Sequence, residues 1–194
     1  MRRTARPLLL AVALATTVAA PFVTSSTAAN TAPTYASYDV GFNSGEPSIG
    51  YDTKVDAALF TAGTTTVRMK WDAKDKLILN KDVSDPDAVT SLDPIGFTDQ
   101  KTNRSFSSQL YLACSILSYS DDAGDTWHPS SGCGPATAVD HQTVGSGPYR
   151  PEGAPPTARL TGYPNAVYYC AQNSYAGTCA RSDDGGVTFP FSTS

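Results

Sequence analysis

The sequence predicts an all-β chain, a β-propeller of four-stranded antiparallel blades with about three blades present and the ring incomplete. Three observations lead there. Gly, Pro, Ser, Thr and Tyr are abundant while long amphipathic helical periods are scarce, which favours short strands joined by turns. The acids Glu46, Asp93 and Asp140 recur 47 residues apart, each ahead of a short strand-like run. The octets "SDDAGDTW" at 120–127 and "SDDGGVTF" at 182–189 share one grammar of Ser, Asp, Gly, Thr and an aromatic residue.

The elements follow in chain order. Residues 1–29 read as a secretory signal peptide. Arg2, Arg3 and Arg6 form a basic start, Pro7 to Ala20 is apolar and Ala-rich, and small residues precede a cleavage point near Ala28 or Ala29. The apolar run is too short for a stable membrane span. Export is therefore expected, with the product secreted; the route, general secretory or twin-arginine, stays open. Losing those three cations from 14 against 18 acids leaves the mature chain at about −7 with no basic cluster, which argues against nucleic acid and anionic lipid as partners.

Residues 30–44 read as a linker, and 45–194 as the partial propeller, with blades at about 45–91, 92–138 and 139–194. The second strands are expected at "DAALFTAG", "RSFSSQLYLA" and "NAVYYCAQ". The third strands are expected at "TTVRMKW", "SILSYS" and "CARS". Each box falls where a third strand must reverse into a fourth; in the first unit the degenerate "DAKDKL" from Asp72 stands at that point. The boxes lie 62 residues apart, and the excess over 47 is assigned to an irregular loop, "GSGPYRPEGAPPTAR", from Gly145 to Arg159.

Within a box, Gly124 and Gly186 can take positive φ without a Cβ penalty. Asp122 and Asp184 can accept hydrogen bonds from the turn's own amides, and Thr126 and Thr188 return the chain to extended geometry. Trp127 and Phe189 place a large ring where a neighbouring sheet can cover it. Together with Ser120 and Ser182, these residues match Ser-x-Asp-x-Gly-x-Thr-Trp/Phe. The chain thereby resembles the sialidase-like (neuraminidase-type) β-propellers with Asp-box, or BNR, repeats, and the resemblance spans the three units from about Gly45 onward. It implies that the boxes are structural and lie on the edge away from the ligand face.

Four cysteines in an exported chain point to disulfides. Of the three possible connectivities, Cys114 with Cys133 and Cys170 with Cys179 are favoured, because each pair brackets a local strand–turn feature. His128 and His141 lack zinc-ligand spacing, so no metal and no cofactor is expected. "DDAGD" fails as a calcium loop, because an EF-hand counted from Asp121 would need Gly at Thr126 and an acid at Gly132. "NRS" at 103–105 fits a glycosylation sequon, a pattern common by chance.

Glu46, Asp93, Asp140 and His141 begin first strands and should ring the channel mouth. Tyr175, clamped by the Cys170–Cys179 bridge, belongs to the next ring. Carboxylates accept from sugar hydroxyls and aromatic faces stack on sugar rings, so this rim is a candidate site for a glycan or another extracellular ligand. The same acids could equally fix the start of each blade, and His141 beside Asp140 could be a proton shuttle or a hydrogen-bonded turn residue.

No catalytic set is identified. A working sialidase of the resembled family carries three substrate-binding arginines, a Tyr nucleophile with a Glu beside it, and an Asp acid/base. Here "YRP" at Arg150 follows a box instead of preceding one, and Arg68, Arg104, Arg159 and Arg181 lack the context. Three functional classes stay open: a binding propeller, an exo-sialidase-type glycoside hydrolase truncated before its catalytic blades, and a protein-binding scaffold. Three blades do not close a ring, so missing blades or self-association are expected to cover the terminal sheets.

Overall fold

The computed structural model describes residues 35–89, 93–111, 114–130, 140–150, 152–172 and 176–190. The chain divides into Met1–Tyr35 and Ala36–Ser194. The signal-peptide segment lies outside the described residues, and everything below concerns the second unit.

The strands are β1 (Ser48–Asp52), β2 (Ala57–Ala62), β3 (Thr65–Trp71), β4 (Leu77–Asp82), β5 (Ile95–Thr98), β6 (Ser105–Tyr111), β7 (Cys114–Ser120), β8 (His128–Pro129), β9 (Asp140–Pro148), β10 (Asn165–Gln172) and β11 (Gly177–Ser182). A short helix, α1 (Pro156–Thr161), lies between β9 and β10. The strands form three antiparallel meanders in chain order, β1–β4, β5–β8 and β9–β11, and among the described residues no sheet closes on itself. The all-β class is therefore shown. Sheets follow one another through their first strands, with β5 in contact with β1 on one side and β9 on the other.

Alternation decides which side chains enter each seam. On β2 and β3, Leu59, Thr61 and Thr66 face the second sheet, while Ala58, Val67 and Met69 form a buried cluster on the opposite face. The first seam is lined largely by hydroxyls and glycines. Gly50 abuts Thr98, Gly96 abuts Thr61, and Thr98 and Ser105 hydrogen-bond at 3.0 Å. The Gly96 amide donates to Ser48 Oγ at 2.5 Å. The second seam is apolar: Phe106, Leu117, Val144, Val167, Tyr169, Ala180 and Phe189 are buried together. Burying side chains of this size contributes roughly 1.5–3 kcal/mol each.

Four expectations need correction. Gly145–Pro148 is not irregular: it continues β9 and pairs with Asn165–Tyr168 of β10. Farther along the same stretch, Pro155–Pro156 starts α1, since a Pro early in a helix sacrifices no intrahelical bond, and Gly162 ends it at φ 74. The third sheet has three strands among the described residues, and 183–190 add none. The outer face of the first sheet is not bare: Val40 packs on its cluster and Tyr38 meets Trp71 edge-on at 5.6 Å. The Tyr38 hydroxyl also donates to the Asp75 carbonyl, so the supposed linker acts as a strap.

Candidate functional site

Two ends of the stack carry the residues singled out from the sequence. The box end comprises the β1–β2 and β5–β6 turns together with the box turns. Ser120 and Ser182 close β7 and β11, and their partners Ser105 and Val167 put the two boxes in the same register. Ser120 Oγ donates to Asp122 Oδ1 at 2.8 Å and accepts the Gly124 amide at 2.8 Å. Thr126 donates its amide to Asp122 Oδ1 at 2.8 Å and its hydroxyl to Oδ2 at 2.7 Å. The second box repeats this network: Ser182 to Asp184 at 2.6 Å, Gly186 amide to Ser182 at 2.8 Å, and Thr188 amide and hydroxyl to Asp184 at 2.9 and 2.5 Å. Gly124 and Gly186 take φ 89 and 86. "DAKDKL" makes a simpler turn between β3 and β4, in which Asp72 Oδ1 accepts the amides of Lys74 and Lys76.

Each box turn also docks on the sheet before it. The Trp127 indole donates to the Val83 carbonyl at 2.7 Å, and Gly124 lies against the Val83 side chain. Gly186 lies on the ring of Phe106, Ser130 Oγ donates to its carbonyl at 2.6 Å, and Phe189 reaches the core beside Tyr169. Two arginines fasten these turns, a role the sequence did not disclose. Arg68 donates to the Ala123 carbonyl at 3.1 Å and pairs with Asp125 at 2.9 Å. Arg104 stacks over Tyr119 at 4.2 Å, donates to the Gly185 carbonyl at 2.8 Å and pairs with Asp121 at 2.7 Å. Arg181 pairs with Asp183 in its own turn at 2.7 Å.

These contacts leave an electrostatic signature. Burial alone would raise the Asp122 carboxyl, but hydrogen bonds from Thr126 and Ser120 outweigh it and hold the group below its ordinary value. Asp184 behaves likewise, burial being outweighed by Ser182, Thr188 and the Val187 amide. Hydrogen bonds from Arg68 and Lys81 bring Asp125 down to about 2. A carboxyl depressed in the folded chain contributes stability present above its unfolded value and lost as pH falls through the folded one. Thermal melts should therefore be flat above about pH 5 and fall steeply between pH 4 and 2. Asp125→Asn should flatten the part of that fall nearest pH 2, and an unchanged profile would refute the assignment.

The opposite end carries the predicted rim. Glu46 is exposed two residues before β1, Asp93 is half-buried two residues before β5, and Asp140 opens β9. The β2–β3 hairpin lies at this end too, its Gly63 amide donating to Ser44 Oγ at 3.0 Å. His141 is the extra residue of a β-bulge: Gln172 pairs with Asp140 while Cys170 pairs with Thr143. It adopts φ 47, its amide donates to Asp140 Oδ1 at 2.9 Å, and its exposed imidazole lies 3.2 Å from the Asp140 carboxylate.

The bulge turns Gln142 inward. Its amide nitrogen donates to the Asp93 carbonyl, and its oxygen accepts the Tyr169 hydroxyl at 3.1 Å. The structure thus brings Asp140 and His141 into contact and ties the start of β9 to the backbone of Asp93. Glu46 makes no such tie among the described residues. Tyr175 and Cys133 lie outside the described residues, so the Cys114–Cys133 pairing does too. The Cys170–Cys179 disulfide is present and joins directly opposed residues of β10 and β11.

Among the described residues, no group of three or more His, Cys, Asp or Glu is placed to hold a metal ion, and no helix is long and apolar enough to cross a membrane. Arg68, Arg104 and Arg181 are engaged at the box end, away from the rim. No family model matches the chain, and no curated protein sequence is significantly similar to it.

Proposed function

We propose that the three sheets are consecutive blades of an exported, sialidase-like Asp-box β-propeller. Its rim at the first-strand ends binds a polyhydroxylated ligand, a glycan, without catalysis by this chain alone. The observation that carries the reading is the pair of box networks, alike atom for atom and each seated on the preceding sheet. That repetition supports a scaffolding role for the box end and leaves the rim as the end with exposed polar groups: the Glu46 carboxylate and the paired Asp140 carboxylate and His141 imidazole. Carboxylate oxygens accept from paired sugar hydroxyls, and charge-assisted bonds of this kind are stronger than neutral ones.

The test is a glycan array probed with the whole protein and with an Asp140→Asn/Glu46→Gln variant. The expected result is selective binding by the parent and a loss of about tenfold or more in the variant, as for removal of hydrogen bonds to charged groups. Melting temperatures should stay equal. Turnover of a fluorogenic sialoside by the parent would overturn the non-catalytic part. An array without hits, beside capture of a defined extracellular protein, would replace the glycan by a protein ligand.

A further inference from the structure

The last sheet presents outward the same register positions that the second sheet buries. With Ser182 aligned on Ser120, Tyr168 stands where Phe106 stands, Cys170 where Ser108 stands, and Cys179 where Leu117 stands. In the second sheet those residues are 1%, 0% and 5% exposed, sealed by the third sheet. In the third sheet Tyr168 is 40% exposed. It separates two cavities: one of about 310 Å³ along Thr143, Gly145, Gly147 and Cys170, the other of about 610 Å³ bounded by Tyr149, Arg150, Glu152 and Arg181.

Arg181 supplies the decisive match. The Val83 amide bonds to the Thr66 carbonyl as the Ser130 amide bonds to that of Leu117, which aligns β3 with β7 and puts Arg68 level with Tyr119. Arg181 therefore occupies on β11 the place of Arg68 on β3. In both filled seams a guanidinium at this level takes the carbonyl of one box position, Ala123 from Arg68 and Gly185 from Arg104. Arg181 borders the larger open cavity beside the Tyr149 ring, 5.7 Å away. The chain's own first turn is a poor occupant, because Lys74 replaces the box glycine and Tyr38 already holds the Asp75 carbonyl.

We propose that the outer face of β9–β11 is a socket for a further antiparallel sheet bearing a Ser-x-Asp-x-Gly-x-Thr turn. Arg181 would take that turn's carbonyl, and the turn's glycine would lie on Tyr168. The socket rests on the stacked-blade reading and is independent of glycan binding, so a blank glycan array leaves it intact.

The test appends a second copy of residues 84–139 behind Ser194 through a Gly–Ser linker. Hydrogen exchange of β9–β11 and chemical nitration of Tyr168 are then followed by mass spectrometry. Both should slow roughly tenfold or more relative to the parent chain, as expected when exposed sheet becomes core. Arg181→Gln in the fusion should return at least half of that protection, while the same substitution in the parent leaves its melting temperature within a few degrees. Unchanged Tyr168 nitration overturns the proposal whether the appended sheet is protected or exchanges freely, since in either case it was offered the socket and did not take it. Concentration-dependent dimers of the parent that disappear with Tyr168→Glu would also overturn it, by giving the face to a second copy of the chain.

Discussion

Asp99→Ala is expected to destabilise the protein by about 3–4 kcal/mol, the sum of lost charge-assisted hydrogen bonds and of buried donors left without a partner. Asp99 is 1% exposed in the β5–β6 turn and bridges the second and third sheets. Its carboxylate accepts both contacts from Asn165 Nδ2, at 2.9 and 3.0 Å, the Tyr163 hydroxyl at 2.9 Å and the Lys101 amide at 2.8 Å. Asn165 is itself buried, so its amide would lose both bonds to the carboxylate. Tyr163 keeps Thr102 at 2.9 Å and softens the loss. Asp99→Asn, which preserves shape, should cost about half as much. Urea titration followed by tryptophan fluorescence measures both. A change below about 1 kcal/mol for the alanine variant would mean that this bridge does not hold the sheets together.

Gly186→Ala is the second large effect, and its cause is steric. The residue sits at φ 86, and an added Cβ would lie 2.4 Å from Cε1 of Phe106, itself 1% exposed. Strain at positive φ and overpacking of a buried ring together amount to roughly 2–5 kcal/mol. Gly147→Ala is the matched control: nothing lies within 4 Å of its Cβ position. The expected pattern is a large fall in melting temperature for the first and a change of no more than about two degrees for the second. Equal effects would show that the close docking of box on ring is unimportant.

How far the sequence reached depends on where its signals are local. Thr65, Thr66, Val67 and Trp71 in one segment and Val167, Tyr168 and Tyr169 in the other are residue types that fit a pleated, half-buried surface, and they mark Thr65–Trp71 and Asn165–Gln172 as strands. The box turns are equally legible, because each is closed by its own Ser, Asp and Thr. The bulge is not legible. "DHQTV" alternates plausibly in two phases, and only pairing with β10 reveals that His141 is supernumerary. Gly145–Pro148 looked irregular because glycine and proline signal turns, yet its backbone pairs in register with Asn165–Tyr168 of the partner strand, a long-range match that local residue types do not announce. The arginine clamps are long-range: Arg68 and Asp125 belong to different sheets, and no spacing rule connects them. The strap was hidden for a similar reason, since Tyr38 and Val40 have meaning only against Trp71 and Met69 across the first sheet.

The hydroxyl-rich joint between the first two sheets has a calorimetric consequence. Parting it would wet threonine and serine oxygens and glycine backbone, and hydration of polar surface lowers the heat capacity instead of raising it. Phe106, Val167 and Tyr169 hold the other joint, and their exposure carries the usual large positive increment. The first sheet can therefore detach with little curvature in its free energy against temperature, whereas the second and third come apart as one unit with the marked curvature of an oily core.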